Sequence, residues 1–265
     1  MEDLVILKIG GSVCTEKSKG EFRVRTRAVR RIGKEIVLAR EKIPFRLVVV
    51  NGAGPFGHAN VVDYDIAGGL ETPRDFAGFS KTVCDCSYLN WSVSENLRKS
   101  GLVTLPYPTS SIAVQNKGRV ASLSFDAVKK LWMNFPHLVP VLNGTMVADT
   151  VIRGSVLGGD SIIEHLALRL KPKKIIFATD VDGVFTKDPR KNKNAKLIKT
   201  VTKDSYGDVK LGIGGSANVD VTGGMLGKVE RLLDLGTETL IVNGNVPGRV
   251  KKALSGKDVK CTMIC

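Results

Sequence analysis

Six short runs of Val, Ile and Leu constrain the fold of this 265-residue chain more than any other feature. Four to six consecutive apolar residues are typical of a strand that is buried on both faces. Between the runs, apolar residues recur at spacings of three and four, which predicts helices over 26–42, 160–170 and 225–236. Strands that alternate with helices predict an α/β fold, with a mostly parallel sheet covered by helices on both faces. The runs are LVILKI (4–9), RLVVV (46–50), LVTL (102–105), LVPVL (138–142), KIIFAT (174–179) and TLIVN (239–243).

Two more polar segments interrupt this alternation and favour antiparallel hairpins. They are VQNKGRVAS (114–122) and MVADTVIRGSV (146–156). The sequence has neither a Pro/Ser-rich linker nor a periodic internal repeat, so we expect a single domain over 1–265. Within this domain, a less distinct boundary between two parts is expected near residue 170, where glycine-rich loops reappear.

The charge balance favours an anionic partner. The net charge is +14, which suits phosphorylated small molecules or nucleic acid. The chain has no RNA-recognition signature and only 6% aromatic residues, so nucleic acid is the weaker alternative.

The cysteines and the apolar stretches indicate a cytoplasmic protein. Five cysteines without paired CxxC spacing predict neither a zinc site nor a disulfide framework, which fits a reducing compartment. Cys14 is interpreted as a small apolar core residue rather than a reactive thiol. No apolar stretch approaches the ~20 residues that span a bilayer.

Five glycine-rich segments fall at or near the predicted strand ends. In open α/β sheets, ligands bind beyond the carboxyl ends of the strands, where free backbone N–H groups can receive an anion. GxxxxGK[ST] is absent, and GAGPFG (52–57), although it has the GxGxxG spacing, carries a proline, so we expect the phosphate-binding fold to be neither a P-loop nor a Rossmann fold. The segments are KIGGS (8–12), NGAGPFGH (51–58), LGGDS (157–161), TDVDGVFTKDP (179–189) and VTGGMLGK (221–228).

Three lysines from separate segments are candidates for phosphate chemistry. Lys8 precedes the first glycine pair, Lys17 lies further along the same loop, and Lys228 follows the last glycine segment. Together they could neutralise the charge that develops during phosphoryl transfer. Asp160, directly after two glycines, could orient these lysines or metal-bound phosphates.

Of the histidines and the remaining aspartates, one is assigned to the site and the others to structural roles. His58 follows a glycine loop and is expected to open a short helix, where its imidazole could add a donor for the same anion. His137 and His165 lack that setting and are assigned to structure. Asp180 and Asp182 flank the exit of the KIIFAT strand, where Asx-turns are the simplest explanation.

With these segments in place, the chain resembles the amino acid kinase superfamily, and most closely the isopentenyl phosphate kinases. The likeness runs in order through ILKIGGS, GAGPFGH, LGGDSI, ATDVDGVFTKDP, DVTGGMLGK and NGNVPGRVKKAL. The GAG.FGH motif with its histidine separates this branch from the carbamate, acetylglutamate, aspartate and UMP kinases. The resemblance implies an αβα sandwich, commonly a homodimer, that transfers the γ-phosphoryl group of ATP-Mg²⁺ to isopentenyl phosphate.

The resemblance also implies roles for individual residues. The acceptor is already an anion, so no general base is required. The acceptor part is expected at roughly 1–170 and the nucleotide part at roughly 171–265. The implied ATP ligands are Lys8, Gly10, Gly11, Ser12, Gly54, Asp180, Gly224 and Lys228. The implied acceptor ligands are Ala53, His58 and Gly159, with Lys17 stabilising the transition state and Asp160 in support.

Three positions depart from the family pattern. Pro55 replaces a usual serine and removes a hydroxyl and an N–H beside the phosphates. Thr145 stands where a Gly-Asp pair usually places a carboxylate, and Gly158 replaces a usual serine. The apolar part of the acceptor pocket is expected on the helix after Pro73.

Helically spaced Phe76, Phe79 and Val83 are the candidates for that apolar wall.

Three alternatives to the isoprenoid kinase stay open. One is a kinase of the same fold acting on a phosphonate such as fosfomycin. Another is a nucleotide-binding regulator with weak catalysis, and the last is a nucleic-acid-binding protein, whose affinity would fall steeply with salt.

Overall fold

The computed structural model describes residues 2–18, 21–214 and 219–265; the side chains of residues 17, 18 and 211–226 lie outside the described part. The strands are β1 (Leu4–Ile9), β2 (Thr15–Ser18), β3 (Glu21–Val24), β4 (Arg46–Asn51), β5 (Thr104–Pro106), β6 (Ala113–Asn116), β7 (Arg119–Leu123), β8 (Val139–Asn143), β9 (Thr145–Asp149), β10 (Arg153–Leu157), β11 (Lys174–Thr179), β12 (Thr200–Val201), β13 (Glu238–Asn243) and β14 (Cys261–Ile264). The helices are α1 (Gly11–Cys14), α2 (Thr26–Arg40), α3 (Pro55–Asp63), α4 (Pro73–Arg98), α5 (Asp126–Trp132), α6 (Gly159–Leu170), α7 (Tyr206–Gly214), α8 (Val219–Asp234) and α9 (Arg249–Leu254).

An eight-stranded, mostly parallel sheet is the centre of the fold. Its order is β12-β14-β13-β11-β1-β4-β8-β5, and all six predicted strands lie in it. In β4, Val48 and Val50 pack into one core cluster, whereas Leu47 and Val49 pack into the other. Successive side chains of a strand point to opposite faces, so this division confirms burial on both faces. Of the run at 102–105, only Thr104 and Leu105 lie in a strand, β5, which continues to Pro106.

Two strands of this sheet, the two-residue β12 and the strand β14, were not predicted. Strand β14 follows the last helix and runs antiparallel to β13. Its sequence, CTMI, alternates half-buried and buried residues and carries no long apolar run. A short half-buried strand of this kind gives a weaker sequence signal than the buried parallel strands.

Helices cover both faces of the sheet, as the periodicity predicts. The predicted helix over 26–42 is α2, which buries Val29, Ile32 and Ile36 against one face. The helix over 160–170 is α6, on the other face. Among the described residues, no helix has the length and apolar character needed to cross a bilayer.

Helix α8 begins earlier than the sequence predicts. It starts at Val219, so the segment 221–228, predicted as a glycine-rich loop leading into a helix at 225, lies inside the helix. Glycine inside a helix costs only about 1 kcal/mol relative to alanine. The buried residues Val229, Leu232 and Leu233 supply the apolar face that holds this helix on the core.

The two predicted hairpins form and join into a second sheet. Strands β6 and β7 pair antiparallel, as do β9 and β10, which confirms both hairpins. A parallel pairing between β6 and β9 links them in the order β10-β9-β6-β7. This linkage could not be read from the sequence, because it pairs residues more than 30 positions apart.

Candidate active site

The carboxyl ends of five neighbouring strands of the large sheet form one edge of the molecule. Strands β13, β11, β1, β4 and β8 are adjacent and parallel there, so the segments that follow them meet. Three of the five predicted glycine segments follow strands of this sheet, whereas VTGGMLGK lies inside α8. The fifth, LGGDS, follows β10 of the second sheet and enters α6. The β9–β10 hairpin therefore carries this segment to the site.

Two glycine loops touch each other at this edge. A Cβ on Gly11 would lie 2.7 Å from both the N and the Cα of Gly54. Gly54 has a φ of +53°, and a Cβ there would lie 2.5 Å from Thr15 Oγ1. Side chains at either position would push the loops apart, so glycine is required for the contact. The contact brings the backbone after β1 against the backbone after β4.

Two backbone amides converge beside this contact. Within the described residues, the N–H groups of Ala53 and Gly159 donate no hydrogen bond to protein. A Cβ on Gly144 would lie 3.4 Å from the N of Ala53 and 3.4 Å from the N of Gly159, so the two nitrogen atoms lie near one position. Unpaired amides that lie close together can bind an anion.

A carboxylate shared by two lysines lies next to the amides. Asp160, in the first turn of α6, forms an ion pair with Lys8 through Oδ1, and its Oδ2 lies 3.4 Å from Lys228 Nζ. The ammonium of Lys228 also lies 4.0 Å from the centre of the Phe177 ring, and that of Lys8 lies 5.6 Å from it. Lys8 and Phe177 are paired residues on β1 and β11, so the sheet register fixes this arrangement.

The cluster changes the pKa values of its members. Burial, reinforced by the neighbouring Lys8, lowers the pKa of Lys228 to about 8, although Asp160 acts in the opposite direction. Burial also acts to raise the pKa of Asp160, but Lys228 and Lys8 together hold it below its ordinary value. Asp160 therefore stays ionised, and two ammonium groups share one carboxylate. The excess positive charge favours an anionic ligand.

A cavity of about 430 Å³ opens beside the cluster, a size that suits a small ligand. His58 lines it from α3, which begins at Pro55, three residues earlier than predicted. Its apolar wall is formed by Val61, Met146, Val156 and Leu157. The lining of the cavity thus combines polar and cationic residues with apolar side chains.

The predicted apolar wall on α4 lies elsewhere. Phe79 and Val83 pack behind the cavity in a small cluster with Met146, and Phe76 is 47% exposed. Thr82 is the α4 residue among those that line the cavity. The helical spacing of Phe79 and Val83 reflects packing of α4, and none of the three predicted residues is among those that line the cavity.

At the exit of β11, two aspartates form ion pairs. Asp180 pairs with Arg190. Asp182 pairs with Arg249 and lies 2.8 Å from Lys260 Nζ, so its role in this structure is to tie three segments together. Neither carboxylate contacts the Asp160 cluster.

The remaining predicted residues are placed as follows. Gly10 directly follows β1 and its N–H donates to the carbonyl of Ala178 at 2.9 Å, whereas Ser12 lies in α1. The side chains of Lys17 in β2 and Gly224 in α8 lie outside the described residues. Cys14 is fully buried, and burial raises the pKa of its thiol to about 12, which fits an inert core residue. His137 is exposed, whereas His165 is buried against Arg169.

Asparagines at the strand ends, of which Asn51 and Asn143 are buried, were missed by the sequence interpretation. Asn51, Asn143 and Asn243 each end a strand that enters the site. Asn51 Oδ1 accepts from Asn90 Nδ2 at 3.1 Å, and Asn143 Oδ1 accepts from the N–H of Thr109 at 3.2 Å. These bonds fix the start of each loop. The recurrence of asparagine after three of the apolar runs was the available signal.

Comparisons with known proteins agree with this geometry. The sequence model of the amino acid kinase family matches residues 3–250. An isopentenyl phosphate kinase of Methanothermobacter thermautotrophicus is 35% identical over 270 residues, with 98% of each chain covered. One from Arabidopsis thaliana is 33% identical over 229 residues, covering 80% of this chain and 68% of its own. A solved structure of isopentenyl phosphate kinase superposes with a TM-score of 0.83 at 32% identity, covering 99% of this chain and 100% of the other.

Replacing the shared carboxylate tests the electrostatics of the cluster. In Asp160→Asn, the pKa of Lys228 falls from about 8 by roughly one pH unit, because the charge that favours its ammonium form is lost. NMR titration of ¹³Cε-labelled lysines measures this change. Asp126→Asn, at an exposed position on α5, is the matched control. An unchanged or raised pKa of Lys228 would show that Asp160 does not hold the two lysines.

Proposed function

The chain belongs to the amino acid kinase family, and we propose that it transfers the γ-phosphoryl group of ATP to isopentenyl phosphate. The products are isopentenyl diphosphate and ADP. One observation carries the proposal: Lys8 and Lys228 share Asp160 directly beside a cavity whose lining has both polar and apolar residues. This arrangement matches two phosphate groups that meet at the lysines and one short hydrocarbon chain.

The nucleotide phosphates are proposed to lie on the side of the first glycine loop. Gly10, Gly11 and Ser12 supply backbone there, close to Gly54. Lys8 and Lys228 provide positive charge. From the family resemblance, Asp180 and Gly224 are assigned to the rest of the nucleotide and Lys17 to the transition state. The segment from residue 171 onward is thus proposed to make most of the contacts with the parts of the nucleotide other than its phosphates.

The acceptor phosphate is proposed to lie on the other side of the lysines. The N–H groups of Ala53 and Gly159 and the imidazole of His58 donate to its oxygens. The hydrocarbon part extends along the apolar wall that includes Val61 and Met146. In this pose an acceptor oxygen faces the γ-phosphorus with the lysines alongside.

The chemical step requires positioning and charge neutralisation more than proton transfer. An acceptor oxygen forms a bond to the γ-phosphorus while the bond from that phosphorus to the β,γ-bridging oxygen breaks, and ADP leaves. The acceptor is an anion at neutral pH, so no side chain has to remove a proton. Lys8 and Lys228 neutralise the charge on the transferred group, and Asp160 keeps both ammonium groups at the correct place.

Mg²⁺ is proposed to accompany ATP, held mainly by phosphate oxygens and water. Mg²⁺ keeps several waters and commonly needs only one or two carboxylates besides phosphates. Among the described residues that line the cavity, Asp160 is the sole carboxylate, and lysines already face both of its oxygens. The part of the chain that the structure describes has no group of three His, Cys, Asp or Glu side chains suited to a metal. When bound, Mg²⁺ would offset charge on the β- and γ-phosphates.

A panel of acceptors tests the proposed reaction. Coupled measurement of ADP release with Mg-ATP would use isopentenyl phosphate, dimethylallyl phosphate, geranyl phosphate, fosfomycin, UMP, carbamate, glutamate and acetylglutamate. We expect kcat/KM for isopentenyl phosphate to exceed that of the other classes by about tenfold or more, since pocket contacts give discrimination of this order. Preference for fosfomycin would support the phosphonate alternative. A flat panel would support the regulator.

The role of His58 is tested separately. His58→Ala should raise KM for the acceptor by about 10- to 100-fold, the usual effect of losing one hydrogen bond to a charged group, and change KM for ATP less than twofold. His137→Ala is the control, because its side chain is exposed and only its carbonyl is used, by Arg40. Equal losses for both substrates, or none, would contradict the assignment.

We also propose that the enzyme works as a homodimer in the cytoplasm. Tyr88 and Trp91 of α4 are 57% and 55% exposed, with ring centres 6.3 Å apart, and exposed aromatic residues are typical of interfaces. The five cysteines are free, which fits a reducing compartment. Sedimentation velocity at micromolar concentration should give twice the chain mass of 28.6 kDa. A monomer at that concentration would contradict the dimer.

A further inference from the structure

The ring of Phe177 faces both ammonium groups of the Asp160 cluster. Phe177 belongs to β11 and is 1% exposed. Lys228 Nζ lies over the ring at 4.0 Å from its centre, and Lys8 Nζ lies over it at 5.6 Å. Among the described residues, no other aromatic ring has two cations over its face. Packing alone requires only apolar neighbours, so two cations at one ring indicate a function besides filling the core.

The register of the central sheet gives the ring this position. Phe177 and Ile175 pack into one core cluster, whereas Ile176, between them, packs into the other. Lys8 is paired with Phe177 on the adjacent parallel strand β1, and paired residues of neighbouring strands point to the same face. Helices α6 and α8 cover that face. The ring is therefore placed by the backbone of the sheet rather than by a loop.

Lys8 and Lys228 differ in how they are held. A Cβ on Gly159 would lie 3.3 Å from Lys8 Cε, so the start of α6 covers the stem of Lys8, whose ammonium forms an ion pair with Asp160. Lys228 reaches the cluster from α8, and its Nζ lies 3.4 Å from Asp160 Oδ2, which is longer than a usual charge-assisted hydrogen bond. The Phe177 ring supplies a second attraction for this ammonium. Lys228 therefore depends on the ring more than Lys8 does.

A π-face suits an ammonium group that must also meet a phosphate. The negative face of an aromatic ring attracts a cation, and the attraction is largest where water is excluded. Burial works against the charge on Lys228 and lowers its pKa to about 8, whereas an aromatic face favours the charged form. A carboxylate also favours the ammonium form, but its full negative charge repels a phosphate at the same place. The ring has no net charge, so it can support Lys228 while a phosphate is bound.

We propose that Phe177 is a positioning residue of the phosphoryl transfer, whose π-face holds the Lys228 ammonium in place for the transferred group. This inference rests on the function proposed above. Phe177 is not among the residues that line the cavity, so it acts through Lys228 rather than on the substrates. A leucine would fill much of the same core volume without attracting a cation. The inference therefore concerns the π-electrons of the ring and not its size.

Fluorination of the ring separates these two properties. Genetically encoded 4-fluoro-, 3,4-difluoro- and 3,4,5-trifluorophenylalanine at position 177 keep the ring and progressively weaken its negative face. We expect kcat with isopentenyl phosphate to fall with each fluorine, to about three- to tenfold below the original in the trifluoro protein. KM for isopentenyl phosphate should stay within twofold, because the ring does not contact the acceptor.

The same three replacements at Phe125 are the matched control. Phe125 belongs to the same core cluster and is 5% exposed. Its ring centre lies 6.1 Å from that of Tyr107 and 5.5 Å from that of Trp132, and in the described part of the chain no cation lies over it. Fluorination there should leave kcat within twofold. Equal losses of kcat at the two positions, or a constant kcat along the series at position 177, would overturn the inference.

Phe177→Leu and Phe125→Leu compare the loss of a ring with the loss of core volume. Both should lower the melting temperature, since each removes buried apolar atoms. Only Phe177→Leu should also lower kcat, by about tenfold. Similar kcat values for the two leucine variants would count against the role of the ring. If Phe177→Leu does not fold, the fluorinated series decides alone.

NMR titration of ¹³Cε-labelled lysines in the unliganded protein tests the contact independently of the reaction. The pKa of Lys228 should fall from about 8 by roughly half a pH unit in the trifluoro protein, because the ring then favours the ammonium form less. Lys8, Asp160 and Arg231 are the charged groups that act on Lys228, and all three remain in this protein. An unchanged pKa would overturn the inference.

The two levels of the proposal fail in different ways. If the original protein phosphorylates isopentenyl phosphate and the fluorinated proteins match it, only the role of Phe177 fails. If the original protein does not phosphorylate isopentenyl phosphate, the proposed function fails, and the catalytic use of the ring fails with it even where the pKa of Lys228 responds to fluorination.

Discussion

The shared ion pair of Asp160 with Lys8 and Lys228 is the interaction on which the site depends. It joins a strand of the central sheet to the start of α6 and to α8, so three separate parts of the chain must be in place before it forms. Two buried ammonium groups without the carboxylate would repel each other at the cost of several kcal/mol. The ring of Phe177 beneath them offsets part of their desolvation through its π-face.

Backbone contact supplies the second constraint. Gly11 and Gly54 allow the segments after β1 and β4 to touch. The hydrogen-bond donors proposed to hold the phosphates of the two substrates are therefore close together. Phosphoryl transfer gains most from holding the reacting groups in line. The buried asparagines at the strand ends, Asn51 and Asn143, fix the loops without adding charge. Rigid strands thus position the donors, and the glycines set their spacing.

The sequence predicts the layers of this fold well and its long-range pairings poorly. Buried strands such as β4 carry a dense apolar signal, because both faces are covered. Strand β14 and the parallel link between β6 and β9 depend on residues far apart in the chain, and no local pattern encodes them. At the site, the lysines and glycines were found from their chemistry. The role of Asn51 and Asn143 became visible only when their partners Asn90 and Thr109 were known, because these lie far away in the sequence.

The pKa of Lys228 links the resting cluster to the proposed chemistry. At about 8, it leaves the ammonium mostly charged at neutral pH, while burial works against that charge. An incoming phosphate adds negative charge close by and therefore stabilises the ammonium form. In the proposed mechanism, the carboxylate of Asp160 fills this role until a ligand arrives, which explains an acid among residues that we propose to bind anions. Asp160 thus stabilises the ammonium form of Lys228 before a ligand binds, and the proposed anionic substrates would stabilise it further.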